Sequence, residues 1–375
     1  MLKIIIAGNY GAGNIGDEMI LEGILKILRD VLTEPEITVL SGNPKETEER
    51  HKVSAVEKFP AGIRSLIKSF FTTGSKTRKA VKECDYFILG GGGLFNGKDF
   101  FSNIIWGIQA FWAYHCKKSA LMMGQSMDMP KSKIIKLIIK KLFNKACFIS
   151  VRDENSKENL KKLGIRKKIY VTPDFAFELP FRKTEISDSV SREKYVLFAL
   201  RQTKKLDQHF KTVIVEFINW LMDFKKLNIV LVNFQNTGRD SDDMVNEEIY
   251  KEIKDKEKIK FIKNTESSEL LNLFANADFA VCMRFHAVVL AVKTETPFIA
   301  LNYASKVEDF LKYAKLDNQK IDLNDLSQEK LKIYFDQFIR DQNLKRKMEE
   351  FNKNAARRLS ELENLTLRNI FSSDR

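Results

Sequence analysis

The fold is decided near the amino terminus, where Leu2–Asp17 read LKIIIAGNYGAGNIGD. The run Leu2–Ala7 is apolar and β-branched, which predicts a short strand. A glycine-rich loop follows from Gly8 to Asp17. Apolar residues then recur at helical spacing and predict a helix: Met19, Leu21, Ile24, Leu25 and Leu28. Strand, loop and helix in this order are typical of one unit of an α/β domain.

The same alternation runs through most of the chain. In the first half, further strand candidates are Ile37–Leu40, Asp85–Leu89, Ser119–Met123, Cys147–Val151 and Ile169–Thr172. In the second half they are Tyr195–Leu200, Asn228–Phe234, a strand near Phe261, Phe279–Met283 and Phe298–Leu301. Strands separated by helices predict parallel sheets covered on both faces. The fold class expected is therefore α/β, with two Rossmann-like domains.

A polar stretch separates the two halves. Residues 182–194 (RKTEISDSVSREK) hold almost no core-forming side chains and predict an interdomain linker. We expect an amino-terminal Rossmann-like domain over 1–181 and a carboxy-terminal one over 195–326. Residues 327–375 are rich in Lys, Glu and Arg, and predict helices that pack across the domains.

The chain of 375 residues has a net charge of +13, which two segments account for. Lys52–Lys82 holds eight basic residues against Glu57, and Lys131–Lys145 holds six basic residues and no acidic one. Neither segment shows the interleaved aromatic or glycine repeats of a nucleic-acid groove, so nucleic acid is not an expected partner.

Cysteine spacing and hydropathy indicate the cellular compartment of the protein. The four cysteines lie far apart without a Cys-x-x-Cys pair, which predicts no disulfide framework, no zinc site and a reducing cytoplasm. The apolar stretch at the amino terminus is too short for a signal peptide. No apolar run approaches the ~18 residues of a membrane span, so any contact with lipid is expected to be peripheral.

The first loop is a candidate binding element. Gly11, Gly13 and Gly16 form a G-x-G-x-x-G pattern that also contains Asn14. Residues 41–43 (SGN) stand where a dinucleotide site needs an acidic residue, which argues against a dinucleotide. Asp17 then places a carboxylate at the start of the helix, either as its N-cap or as a partner for a substrate hydroxyl.

Three further groups follow predicted strands. The run Gly90–Gly93 predicts a ligand-facing loop, with Gly91, Gly92 and Gly93 as contacts, because consecutive glycines in ordered chain are costly. Arg152 could reach an anion over the sheet edge or form a salt bridge with a neighbour. Asp174 is either a turn residue or a site carboxylate.

The sequence Arg284-Phe285-His286 follows a buried strand and precedes a helix predicted over Ala287–Lys293. If the backbone is still extended there, Arg284 and His286 share one face. A fixed cation, an imidazole and a helix amino terminus together suit a small, multiply charged anion. The run Asp240-Ser241-Asp242-Asp243 is interpreted as helix capping, and no ligand cluster predicts a metal.

Taken together, these motifs resemble the polysaccharide pyruvyl transferase family. The matching pieces span residues 4–306 in the family's order: residues 8–18 (GNYGAGNIGDE), Gly90–Gly93, Val151-Arg152-Asp153, Pro173-Asp174-Phe175-Ala176, Arg284-Phe285-His286, Pro297, and residues 302–306 (NYASK).

The resemblance implies a fold similar to GT-B glycosyltransferases. It also implies transfer of the enolpyruvyl unit of phosphoenolpyruvate to two hydroxyls of one sugar, giving a cyclic ketal and phosphate, with no cofactor beyond that co-substrate. His286 would be general acid or phosphate ligand, Arg152 and Arg284 anion clamps, and Asp17 an acceptor-side base or hydroxyl anchor. Lys306 is a further anion-site candidate.

Residues 131–145 place Ile134, Ile135, Ile138 and Leu142 on one stripe among six lysines. This helix either lies on anionic lipid at the inner face of the membrane, near a lipid-linked or polymeric sugar acceptor, or packs on the sheet. Two other functions stay open: a GT-B glycosyltransferase with a nucleotide-sugar donor, and a non-catalytic protein that binds anionic membranes or polyanions.

Overall fold

The structure is a computed structural model that describes residues 1–59, 74–95, 97, 100–184, 193–203, 206–238 and 241–372. The described chain divides into two compact units. Unit 1 comprises residues 1–12, 17–179 and 355–375, and unit 2 comprises residues 13–16 and 180–354. Of the predicted linker 182–194, residues 185–192 lie outside the described residues.

Unit 1 is built on a sheet of eight described strands, all paired in parallel. The strands are β1 Lys3–Ala7, β2 Glu36–Ser41, β3 Ser54–Glu57, β4 Tyr86–Leu89, β5 Gly92–Phe95, β6 Ser119–Met127, β7 Phe148–Val151 and β8 Tyr170–Val171. Their order is β3-β2-β1-β4-β6-β7-β8, and β5 pairs with β6. The helices are α1 Ile15–Val31, α2 Pro44–His51, α3 Gly74–Glu83, α4 Phe100–His115, α5 Lys133–Lys145, α6 Glu154–Lys162 and a 3-10 turn at Phe175–Glu178.

Alternation along β1 divides the core of unit 1 between the two faces of the sheet. Ile4 and Ile6 pack into one buried cluster, whereas Ile5 and Ala7 pack into the other. Successive strand residues point to opposite faces, so a strand that is apolar at every position must be covered on both. The strand LKIIIA therefore requires the helices that flank it.

Unit 2 is a second parallel sheet, with described strand order β11-β10-β9-β12-β13-β14. The strands are β9 Tyr195–Ala199, β10 Asn228–Val232, β11 Ile259–Ile262, β12 Phe279–Cys282, β13 Phe298–Asn302 and β14 Lys320–Asp322. The helices are α7 Gln208–Asp223, α8 Asp243–Glu252, α9 Ser267–Asn276, α10 Phe285–Lys293, α11 Ser305–Tyr313 and α12 Gln328–Phe338, with 3-10 turns at Asp317–Gln319 and Leu323–Asp325.

The carboxy-terminal helices divide between the units. Helix α13 (Gln342–Glu361) belongs to unit 2 as far as Asn354, where Phe351 stacks edge-on against Phe310. From Ala355 onward the chain belongs to unit 1 and continues through a π-helical turn, Leu362–Leu367, into α14, Arg368–Ser372.

The predicted fold class is confirmed: both halves are α/β, with Rossmann-like parallel sheets. Three strands were not predicted. β3 is only partly buried and β14 has three residues, so neither carries a clear apolar period. β5 begins with two glycines, and the Gly90–Gly93 loop therefore gives way to strand at Gly92. Pairing with β6 overrides the low strand propensity of glycine there.

Candidate functional site

Cationic side chains gather at the carboxyl edge of the sheet in unit 2. Arg201 follows β9, Arg284 follows β12, and Tyr303 and Lys306 follow β13. These three strands are neighbours in a parallel sheet, so their carboxyl ends meet at one edge. Ligands of open α/β sheets bind at this edge. We refer to Arg201, Tyr303 and Lys306 as the Tyr303 cluster.

Arg201 is held by Tyr303 rather than by any carboxylate of the described residues. Its Nη1 donates to the Tyr303 hydroxyl at 3.0 Å, and its guanidinium carbon lies 5.0 Å from the centre of the ring. The Nε of Arg201 is buried and has no hydrogen-bond partner among the described residues. A buried N–H group without a hydrogen-bond acceptor costs free energy, and an incoming anion would supply that acceptor.

Lys306 approaches the same phenol. Its Nζ lies 5.8 Å from the ring centres of Tyr303 and Phe285, and it hydrogen-bonds to Tyr303. Burial alone would raise the pKa of Tyr303, but the positive charges of Lys306, Arg201 and Arg284 outweigh it, and the pKa falls below its ordinary value. The phenol thus reports a positive potential at this edge.

Arg284 is buried and ion-paired within unit 2. Its Nε donates to Asp242 Oδ2 at 3.0 Å and its Nη2 donates to Oδ1. Asp242 Oδ2 also accepts the backbone N–H groups of Phe234 and Gln235. Asp242 stands at the N-cap position of α8 but makes no side-chain capping hydrogen bond. Ser241 Oγ accepts from Asp243 N–H at 3.3 Å instead, and Asp240 lies outside the described residues. The role of Arg284 as an anion clamp stays a prediction.

His286 lies inside a helix rather than on an extended segment. Helix α10 begins at Phe285, two residues earlier than predicted, so the premise that Arg284 and His286 share a strand face was wrong. The ring is half-exposed and packs against Gly16: a Cβ added to that glycine would lie 2.0 Å from Nδ1. Only glycine leaves this space for the imidazole.

The tip of the first loop belongs to unit 2. Ile15 N–H donates to Phe234 O at 2.9 Å, and Asn236 N–H donates to Gly13 O at 2.9 Å. Asn14 forms an isolated antiparallel β-bridge with Gln235. Gly13 has φ +70°, and a side chain there would meet Thr237. The predicted residues Gly13, Asn14 and Gly16 are therefore brought to the same unit as His286.

In unit 1, two predicted site residues pair with each other. Arg152 follows β7 and Asp174 follows the adjacent strand β8. Arg152 Nη1 donates to Asp174 Oδ2 at 2.9 Å, and both side chains are at most 4% exposed. Asp174 Oδ1 also accepts from Ala176 N–H, and Arg152 Nε donates to Ser126 Oγ. Their roles toward a substrate stay predictions.

Asp17 lies in the first turn of α1, so it is not the N-cap of that helix. Its Oδ2 accepts from Asn9 Nδ2 at 2.8 Å. Gly92 has φ +104°, and a Cβ there would lie 3.5 Å from Asp17 Oδ1. The amide fixes the carboxylate, and the left-handed glycine allows the backbone of β5 to approach it.

A second carboxylate beside Asp17 completes an acidic cluster in unit 1. Glu18 is buried, accepts from Gly11 N–H at 2.8 Å, and lies 2.8 Å from His51 Nε2. Lys58 balances the two carboxylates: burial lowers its pKa, and the charges of Asp17 and Glu18 only partly offset that effect.

Most of the glycine run has an internal explanation. A Cβ on Gly90 would lie 1.9 Å from the Tyr10 hydroxyl, and one on Gly91 would lie 2.9 Å from Gly124 O. A Cβ on Gly93 would have no described atom beyond its chain neighbours within 4 Å, and the residue is exposed. In the described part of the chain, no group of three or more His, Cys, Asp or Glu side chains is arranged to hold a metal.

The sequence also matches a known family. The sequence profile of the polysaccharide pyruvyl transferases matches residues 14–305, from the first loop to the start of α11. The chain belongs to the polysaccharide pyruvyl transferase family. It is therefore a pyruvyltransferase enzyme of polysaccharide biosynthesis, and the resemblance found in the motifs is confirmed.

Relatives and solved structures agree with this membership. The amylovoran biosynthesis protein AmsJ of Erwinia amylovora is 22% identical over 377 residues, covering 87% of this chain and 89% of that protein. S. aureus MnaA, solved with UDP, has a TM-score of 0.63 at 14% identity, covering 93% of this chain and 90% of that chain. Anabaena Alr3699/HepE, solved with UDP-glucose, has a TM-score of 0.61 at 16% identity, covering 99% of each. These structural likenesses show the GT-B fold.

Sequence reasoning missed several residues of this pyruvyltransferase. Arg201 follows a predicted strand just as Arg152 does, so the same argument would have found it. Tyr303 lay within a quoted motif but was given no role. The cluster of Glu18, His51 and Lys58 had no signal, because its members come from α1, α2 and the segment after β3.

Proposed function

We propose that this pyruvyltransferase uses phosphoenolpyruvate as donor and forms a cyclic ketal on two hydroxyls of one sugar, releasing phosphate. The acceptor would be a sugar of a cell-surface polysaccharide or of its lipid-linked precursor. The observation that carries the proposal is the Tyr303 cluster, where cations surround a phenol. No cofactor is required beyond the donor itself, and four free thiols suit a reducing cytoplasm.

The donor matches the charge of this cluster. Phosphoenolpyruvate carries a carboxylate and a phosphate, and no carboxylate of the described residues is ion-paired with Arg201 or Lys306. A planar guanidinium suits bidentate contact with either anion, and an ammonium adds a point charge. We assign Arg201 and Lys306 as the primary anion ligands, with Arg284 adding positive potential while it holds Asp242.

The reaction needs one proton delivered to the donor. An acid, which we assign to His286, protonates the methylene carbon, and the first sugar hydroxyl forms a C–O bond to the adjacent carbon. The C–O bond to phosphate breaks as the second hydroxyl attacks. Of the two hydroxyl protons, one restores the acid and the other leaves with the phosphate. The cationic residues stabilise the carboxylate and the departing phosphate.

Unit 1 supplies the groups that suit a sugar. Asp17 is fixed by Asn9, and Gly93, the second residue of β5, is exposed. A carboxylate held in one orientation can accept a hydroxyl proton or anchor the hydroxyl by a hydrogen bond. We assign Asp17 this role toward the acceptor.

A thermal-shift comparison tests the donor. Phosphoenolpyruvate at 100 times its dissociation constant should stabilise the protein by about 2.7 kcal/mol, whereas UDP and GDP should leave the melting temperature unchanged. Stabilisation by UDP without stabilisation by phosphoenolpyruvate would show a nucleotide-sugar transferase and overturn the proposal.

A product assay tests the chemistry. Incubation with phosphoenolpyruvate and a panel of nitrophenyl and lipid-linked sugars should release phosphate and add the mass of one pyruvate ketal to the accepted sugar. His286→Gln should abolish product formation and leave the melting temperature of the free protein unchanged. Product formation at the wild-type rate by that variant would remove His286 from the mechanism.

A further inference from the structure

Two helices of unit 1, α4 and α5, pack side by side at the surface. Tyr114 Oη of α4 donates to Leu142 O of α5 at 2.7 Å. Gly107 lets the helices approach, since a Cβ there would lie 3.3 Å from the Ile138 side chain. The pair therefore forms one continuous surface, which we call the α4–α5 face.

Large apolar side chains are concentrated on this face. Phe101 is 71% exposed, Phe111 59%, Ile134 62% and Leu137 53%. With Phe100 they make up half of the ten large apolar side chains that are exposed among the described residues. Single exposed apolar residues need no explanation, but a cluster on two adjoining helices marks an interaction surface.

An apolar groove of about 290 Å³ runs between the two helices. It is lined by Ile104, Ile108, Phe111, Ile138 and Leu142, with the stem of Lys141 at its side. Its dimensions and lining suit a hydrocarbon chain, and lysine stems commonly cover such surfaces while the ammonium groups stay in water.

Helix α5 and the residues just before it carry unbalanced positive charge. The six lysines of residues 131–145 meet no acidic residue within the segment, and none is ion-paired with a carboxylate of the described residues. The prediction of a single apolar stripe on this helix was wrong. Ile135 and Leu142 are buried in the core, whereas Ile134 and Leu137 are exposed. The helix both packs on the sheet and offers a second apolar edge.

We propose that the α4–α5 face docks on the surface of an anionic lipid bilayer, with Phe101, Ile134 and Leu137 entering the interface and the groove taking a lipid chain. Basic amphipathic helices with large apolar side chains bind such surfaces. Within the described residues no helix is long and apolar enough to cross a membrane, so the binding is peripheral. A second copy of this chain is disfavoured as the occupant, because two such faces would bring unpaired lysines together.

Vesicle flotation with the full chain tests the proposal. Binding is expected to vesicles of phosphatidylcholine mixed with phosphatidylglycerol, to weaken at high salt, and to be absent with phosphatidylcholine alone. Each lysine contributes about fivefold, so the triple variant Lys133→Glu, Lys140→Glu, Lys141→Glu should bind at least a hundredfold more weakly. The double variant Phe101→Ser with Leu137→Ser should bind the vesicles at least about tenfold more weakly.

Matched controls lie elsewhere on the surface. Lys251→Glu, Lys345→Glu, Lys353→Glu changes charge equally, and Phe224→Ser with Ile333→Ser removes equally exposed apolar groups. Both controls should bind vesicles as the wild type does. Phe101→Trp should show a blue shift of its fluorescence on addition of anionic vesicles.

Three results would overturn the docking proposal: vesicle binding unaffected by the α4–α5 variants, no fluorescence shift at position 101, or self-association in light scattering that Phe101→Ser with Leu137→Ser abolishes. Activity on a soluble sugar should be unchanged in every variant, because none touches the Tyr303 cluster or Asp17. The docking surface and the proposed reaction therefore succeed or fail separately.

Discussion

Arg152 of unit 1 and Arg201 of unit 2 lie at the edges of two parallel sheets, yet their surroundings differ. Each follows a buried strand at the carboxyl edge. Arg152 is 4% exposed and paired with Asp174, so its charge is neutralised inside the unit. Arg201 is half-exposed and hydrogen-bonded to a phenol, so its charge is retained.

Position at a sheet edge is therefore not enough to make an anion site. A buried ion pair has already exchanged its hydration for a partner, and an external anion would have to compete with that partner. A guanidinium held by a tyrosine hydroxyl, as Arg201 is, has no carboxylate partner in the described part of the chain that an external anion must displace. The comparison predicts a stability role for Arg152 and a donor-binding role for Arg201.

The largest effect is expected at Arg152. Arg152→Met should lower the free energy of unfolding by about 3–5 kcal/mol, because the buried carboxylate of Asp174 would lose the guanidinium with which it is ion-paired. Denaturant titration measures this loss. Adding Asp174→Asn should restore much of it, since the amide oxygen can still accept from Ala176 N–H. An unfolding curve for Arg152→Met that matches the wild type would break the contrast.

The next effect concerns donor binding. Arg201→Met should reduce kcat/KM for phosphoenolpyruvate on the order of a hundredfold, since a charged contact to the donor is lost, and should leave the unfolding free energy nearly unchanged. Arg346→Met, at an exposed position on α13, is the matched control and should behave as the wild type. If Arg201→Met lowered the free energy of unfolding and left the KM for phosphoenolpyruvate unchanged, the roles assigned to the two arginines would be wrong.

The smallest effect is a shift in titration. Lys306→Met removes the largest positive influence on Tyr303, so burial should then raise the pKa of that phenol. Absorbance titration, with Tyr303→Phe subtracted, measures the change. Lys312→Met, on the same helix and paired with Glu308, should leave the pKa of Tyr303 as it is.

The titration of Tyr303 also predicts the direction in which stability changes with pH. Its pKa is depressed in the folded state, so the unfolded chain holds the proton to higher pH. Relative to Tyr303→Phe, the wild type should therefore gain stability as pH rises from the folded pKa to about 10, and lose that gain as pH falls back through the folded value. A difference of opposite sign would mean that burial, not the cations, dominates at Tyr303.

Local pattern was sufficient for the fold. The apolar run of β1 and the helical spacing of α1 appear directly in the sequence. The chain passes from unit 1 to unit 2 at residues 179–180, just before the polar stretch 182–194 that predicts a linker. β5 escaped prediction because its pairing with β6 depends on residues more than twenty positions away. Glycine offered no local signal for a strand.

Sequence by itself determined which side chains end the strands: Arg152, Arg201 and Arg284 are fixed there by the apolar runs that precede them. Only the tertiary structure decided which of these charges is neutralised, because Asp174, Asp242 and Tyr303 lie 22, 42 and 102 residues from the arginines they meet. Strand and helix periods depend on neighbouring residues, whereas charge pairing depends on which loops the folded sheet brings to one edge.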